Sequence, residues 1–278
     1  KYSYIIKPKD TPSTLPPSPS DSNHSTEEKV INVLNNFNLT IKSKEKIAFL
    51  GKSGSGKSTL MKLLVRLLNL NPPNSGEILI DNINIQDINI NYLRKNVNYI
   101  NQNTMLFDED VYYNIKYGNK MDEDLNSYPP EPSPQNKTNN NLTNNNNNNN
   151  NNTNSNEINT NQKIENILRK YDLLTIYDNL DTKLHTKAGP KGTNLSHGMQ
   201  KVTIIMRGIM RNSKIIILDE PLAGLDSKTR EKIIKLILNE CKNRTIIIIT
   251  HDKEILPYMD RVVDINDIND KILSPSNS

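Results

Sequence analysis

Only one of the 278 residues is a cysteine, Cys241, which excludes an intrachain disulfide and is compatible with a reducing compartment. Long apolar runs are absent as well. The longest, such as TIIIIT at 245–250, are strand-sized, well short of the roughly 20 residues a membrane-spanning helix requires, so the chain itself is not expected to cross a bilayer. Nor is there an excess of one charge, since 35 Lys and Arg against 31 Asp and Glu leave a scattered +4. That excludes the clustered basic footprint of a nucleic-acid partner. There is no apolar leader, and a chain that opens on Lys1 reads as a piece of a longer polypeptide.

Apolar side chains are scarce in two whole segments. TPSTLPPSPSDSNHS (11–25) is rich in Pro and Ser, and NNNLTNNNNNNNNNTNSN (139–156) is an asparagine tract. Neither can bury enough surface to offset its ordering entropy, so disordered insertions are expected at 11–25 and, with the flanks of the tract, at 120–160. Sequons such as Asn141-Leu142-Thr143 arise by chance in such a composition and carry no expectation of glycosylation.

The rest of the chain alternates. KIAFL (46–50), VNYIN (97–101), KIIILD (214–219) and TIIIIT (245–250) read as strands buried on both faces, and EILID (77–81) as a strand of a more exposed sheet. Between them STLMKLLVRLLNL (58–70), SHGMQKVTIIMRGIMRN (196–212) and SKTREKIIKLILNEC (227–241) carry apolar residues at helical spacing. The alternation predicts one α/β domain over 1–278, with a mainly parallel sheet covered on both sides and ligands at the carboxyl ends of its strands.

GKSGSGKS (51–58) fits G-x-x-x-x-G-K-[ST] between a predicted strand and a predicted helix, a setting in which a plain Gly/Ser linker is not expected. Gly51, Gly54 and Gly56 let the backbone curl so that its N–H groups face phosphates, and the helix dipole favours negative charge there. Ser53, Ser55 and Thr59 complete the candidate nucleotide contacts. Lys57 is expected to reach the β- and γ-phosphates, and Ser58 to ligate Mg2+. IIILDE (215–220) supplies the acids: Asp219 stands where a magnesium-positioning carboxylate is needed, and Glu220 where a base can polarise the attacking water.

Taken in chain order, these motifs resemble the nucleotide-binding domain of ATP-binding cassette (ABC) transporters. LSHGMQ (195–200) resembles the LSGGQ signature and AGLD (223–226) the D-loop. TIIIITHD (245–252) holds the counterpart of the switch histidine, His251, and NYINQN (98–103) that of the Q-loop glutamine, Gln102. KYSY (1–4) is similar to the end of the family's first strand, which implies that Tyr4 stacks on adenine. The resemblance implies a P-loop NTPase (RecA-like) core with an antiparallel β subdomain and a helical subdomain over 103–195. It implies ATP and Mg2+ as ligands, with Gln102 joining Ser58 and Asp219 at the metal and His251 acting beside Lys57 and Glu220 on the γ-phosphate. It further implies two such domains head to tail, Ser196 and Gly198 facing the partner's ATP and Asp226 bridging the two sites.

LFDEDVYYNI (106–115) resembles the exporter-type branch, which implies membrane helices fused ahead of this domain and a place on the cytosolic or organelle-matrix face of a membrane. In TKAGPKG (186–192), Pro190 replaces the acid of the exporter loop, so the contact with the membrane domain is expected to differ. A soluble ABC-type ATPase, ribosome-associated or in metal-cluster assembly, shares every ATP motif, and an ATP-gated interaction module with little hydrolysis is the other reading left open. His197 and Met199 stand where the family has glycine and glutamine: the histidine would bring a ring near the phosphate, and methionine cannot make the glutamine's hydrogen bonds. Because Lys57, Asp219, Glu220 and His251 are intact, this asymmetry implies an unlike partner, with the altered signature serving the weaker of two ATP sites.

Overall fold

The computed structural model describes residues 2–5, 30–34, 37–70, 76–126 and 152–265. The segment 11–25 and the part of the asparagine tract before residue 152 lie outside the described residues. In chain order the elements are β1 (Tyr2–Ile5), β2 (Val30–Leu34), β3 (Lys46–Leu50), α1 (Lys57–Leu64), β4 (Leu79–Ile80), β5 (Ile83–Asn84), α2 (Ile90–Asn96), β6 (Val97–Ile100) and α3 (Val111–Asn126). They continue with α4 (Asn152–Lys170), α5 (His197–Met210), β7 (Ile215–Asp219), α6 (Ser227–Glu240), β8 (Thr245–Ile249) and β9 (Arg261–Asp264).

Five strands form one sheet in the order β6-β7-β8-β3-β9, every neighbouring pair parallel. The isoleucine-rich strands alternate between its two faces, as a pleated strand must. Ile47, Phe49, Ile217, Ile247 and Ile249 pack with Leu60, Met61 and Leu63 of α1. Ile216, Leu218, Ile246 and Ile248 pack with Val202, Ile205 and Ile209 of α5 and Ile233 and Ile237 of α6. Continuous apolar strands are thus explained by burial on both faces. The second core also takes in Ile115 of α3 and Ile164 and Leu168 of α4, which fastens the helical part of the chain to the sheet.

Two small antiparallel pairs stand apart from this sheet: β1 with β2, and β4 with β5. The β4–β5 hairpin turns on Asp81 and Asn82 at φ of 50° and 64°, the left-handed pair that a two-residue hairpin turn requires.

Three features depart from the sequence expectations. β9 was not anticipated, because Arg261-Val262-Val263-Asp264 offers only two apolar residues. An edge strand needs no more: Val263 is buried and Val262 is exposed. The helix expected over 58–70 stops at Leu64, since Arg66 turns left-handed at φ 52° and anchors its guanidinium on the Ile88 carbonyl oxygen at 2.6 Å. The third departure lies at the edges of the insertion expected to be disordered over 120–160. There α3 runs on to Asn126 and α4 already begins at Asn152, so the described ends of that segment are helical. Adding turns to an existing helix is cheap compared with nucleating one, and Ile164 and Leu168 nucleate α4 by packing.

Candidate active site

The strand register sets the site. Phe49 pairs with Ile249 and Ile249 with Asp219, so β3, β8 and β7 end level with one another. The three segments that leave this edge are the glycine-rich loop, Thr250-His251 and Glu220.

In the loop, Gly51, Gly54 and Gly56 adopt φ of 143°, 83° and 96°, and Gly56 is the left-handed cap of α1. These left-handed values suit glycine, which lets the loop curl tightly around the Lys57 ammonium. A Cβ at Gly54 would meet nothing within 4 Å, so the loop is open on that side. Lys57 is buried, and its ammonium donates to the carbonyl oxygens of Gly51 at 2.5 Å and Lys52 at 2.8 Å and to Ser55 Oγ at 3.3 Å. Burial pushes its pKa down, opposed by the charges of Glu220, Asp219 and Asp264.

Asp219 ends β7 in a buried position, and its Oδ2 accepts from Ser58 Oγ at 3.2 Å and from the Tyr99 hydroxyl at 3.0 Å. Burial next to that carboxylate raises the Tyr99 pKa, which keeps the phenol a donor. Glu220 is left-handed at φ 51°, an uncommon state for a side chain with a Cβ, and its N–H donates to the Ile249 carbonyl oxygen at 2.8 Å. The bend carries its carboxylate to 3.6 Å from Nε2 of His251. Desolvation raises the Glu220 pKa, with His251 working against it. Half-buried Lys201 of α5 has its pKa lowered by burial and raised again by the same two carboxylates.

The oxygens of Ser58 and Asp219 are hard donors converging on one point, which suits Mg2+. Among the described residues no group of three or more His, Cys, Asp or Glu side chains could hold a metal by itself.

The signature turn and the D-loop are helix caps. Ser196 Oγ accepts from the Met199 N–H at 3.3 Å and opens α5, while Asp226 accepts from the Thr229 N–H at 2.9 Å and opens α6. The expectation for Met199 needs correction. The side chain is buried in the core, so it does not face the phosphate space. The neighbouring Gln200 is the amide of this turn: its Nε2 donates to the carbonyl oxygens of Gly192 and Leu195, both at 2.9 Å. His197 is exposed, with its ring against Gly224.

Lys57, Ser58, Asp219, Glu220 and His251 are therefore brought together. Gln102 sits exposed on the turn after β6, and Tyr99 of the same segment reaches Asp219. Tyr4 lies in β1, with its side chain outside the described residues. Tyr99 carried a sequence signal that went unread: a tyrosine in a strand buried on both faces needs a partner for its hydroxyl. Arg230 was missed as well. From α6 it pairs with Asp252 at 3.1 Å and donates to the Leu225 carbonyl oxygen at 2.9 Å, linking the D-loop to the segment that carries His251.

With this geometry in hand, the comparisons with known proteins agree on one family. The profile described as ABC transporter matches residues 34–223. ABC transporter ATM1 of Plasmodium falciparum is 34% identical over 228 residues, which cover 82% of this chain and 18% of that protein. The ATP-dependent lipid A-core flippase of Neisseria meningitidis is 28% identical, covering 85% of this chain and 32% of the flippase. A solved bacterial Atm1-family ABC exporter with ATP bound superposes with a TM-score of 0.64 over 87% of this chain and 35% of that one, at 22% identity, which shows a shared fold. The chain thus spans about a third or less of the length of these relatives.

Proposed function

Because this chain belongs to the ABC transporter family, we propose that it binds Mg-ATP at the carboxyl edge of its sheet, hydrolyses it, and thereby powers export of a substrate across a membrane. The observation that carries this reading is the convergence of Lys57, Ser58, Asp219, Glu220 and His251 where three parallel strands end level.

Lys57 now rests on the loop's own carbonyl oxygens, and in this proposal it exchanges them for the β- and γ-phosphate oxygens of ATP. Ser58 and Asp219 would hold the metal, which would supply charge neutralisation for the phosphoryl transfer. Glu220 accepts the proton of the attacking water, and its raised pKa makes it the stronger base for that role. His251, next to Glu220, faces the γ-phosphate and orients the carboxylate.

Ser196 and Asp226 use their side chains to cap helices and leave the turns they open exposed, which supports a head-to-tail pairing with a second ABC domain. The proposal of an unlike partner now rests on His197 alone, since Met199 belongs to the core. No helix among the described residues is long and apolar enough to cross a membrane. A transmembrane domain beyond this sequence, and a place on the cytosolic or organelle-matrix face, follow by likeness to the flippase and exporter relatives.

The test is Mg-dependent ATP hydrolysis by the purified full-length protein and its Glu220→Gln variant. Turnover is expected to fall by about 10²-fold or more while ATP binding persists, as for loss of a general base. Undiminished turnover in the variant would overturn the role of Glu220.

A further inference from the structure

We infer that His197 is a positioning residue whose imidazole, seated on Gly224, couples the signature turn to the D-loop of the same chain. A Cβ built on Gly224 would lie 2.7 Å from Cε1 and 3.1 Å from Nδ1 of His197, so the ring fills the volume that any side chain at 224 would need. Gly224 is also left-handed at φ 75°, a conformation that favours glycine. Ring and glycine therefore form a matched pair. The histidine that departs from the family signature is seated on the D-loop of its own chain.

Leu225 lies alongside, close enough that a Cβ added at Gly198 would touch it at 3.9 Å. Beyond Leu225 the connection continues inward. Arg230 holds the Leu225 carbonyl oxygen and Asp252, and Asp252 directly follows His251 at the catalytic edge. The seat of the ring on Gly224 is what ties the α5 turn to the 221–226 loop. His197 and Gly224 are both exposed, so the pair adds little buried apolar surface, and its effect belongs to placement more than to stability.

This inference rests on the proposed function, in which both turns face the second domain. It is tested by a double-mutant cycle in the full-length protein, with Gly224→Ala and His197→Ala made singly and together and ATPase kcat, KM and melting temperature measured. In the presence of His197, Gly224→Ala is expected to lower kcat by about fivefold, with KM changing by less than about twofold. In the His197→Ala background the same change is expected to alter kcat by less than about twofold. The backbone strain at 224 is common to both backgrounds and cancels, and because the added methyl meets the ring only where His197 is present, the native contact is read from His197→Ala alone. That change is expected to lower kcat by about fivefold with KM changing by less than about twofold, and an unchanged kcat would overturn the positioning role. Equal losses of kcat in the two backgrounds would overturn the coupling. Coupling seen in melting temperature but absent from kcat would reduce the pair to packing and overturn the positioning role. An unsubstituted protein that binds ATP without hydrolysing it would sink the proposed function itself and this inference with it, an outcome distinct from an additive cycle in an active enzyme.

Discussion

At the carboxyl edge of the sheet, Asp219 is buried and two hydroxyls hold one of its oxygens, while Lys57 is buried under three acceptors of its own loop. At the signature turn, Ser196 and His197 are exposed, fixed by one helix cap and one ring contact. The difference teaches where sequence can drift. At the first edge Asp219 and Lys57 are buried with several partners each, and a change there leaves a buried charge or donor unmatched. At the turn a new side chain needs only one accommodating neighbour, and Gly224 provides it.

The largest effect expected from breaking this comparison is at Lys57. Lys57→Ala removes a buried charge with three acceptors and should weaken ATP binding on the order of 10²-fold, read by nucleotide titration. A variant that binds ATP normally would mean the ammonium stays on the loop carbonyls and never engages phosphate. Tyr99→Phe is the next step down. It deletes one hydroxyl behind Asp219 and should raise the Mg2+ concentration for half-maximal ATP binding by about tenfold, with little change in binding measured without metal. An unchanged magnesium requirement would show that Ser58 alone orients the carboxylate. Met199→Gln should have the smallest effect on chemistry, with kcat shifting by less than about twofold. It buries an amide in an apolar core, so a stability loss of about 1–3 kcal/mol should appear in denaturant unfolding. A clear rise in turnover would return Met199 to the phosphate surface.

Most of the fold was legible because its signals are local. Ile215 to Asp219 and Thr245 to Ile249 could be little else than buried strands, and the loop between β3 and α1 is specified by its glycines. β9 was harder to see because an edge strand buries one face only. At the site, Lys57, Asp219 and Glu220 follow from motifs a few residues long. Tyr99 at Asp219 and His197 on Gly224 are set by partners distant in sequence. No window of neighbouring residues contains that information.

The asparagine tract enters α4 before that helix reaches its packed part, and Tyr112 of α3 meets Glu165 of α4 through a hydroxyl–carboxylate hydrogen bond. The two helices are therefore registered by a contact between residues on either side of the repeat. Doubling the length of the connection costs only about 0.6 kcal/mol in closure entropy. Deleting residues 130–157 is therefore expected to leave melting temperature and nucleotide affinity nearly unchanged, and a large loss of stability would show that the tract packs on the domain.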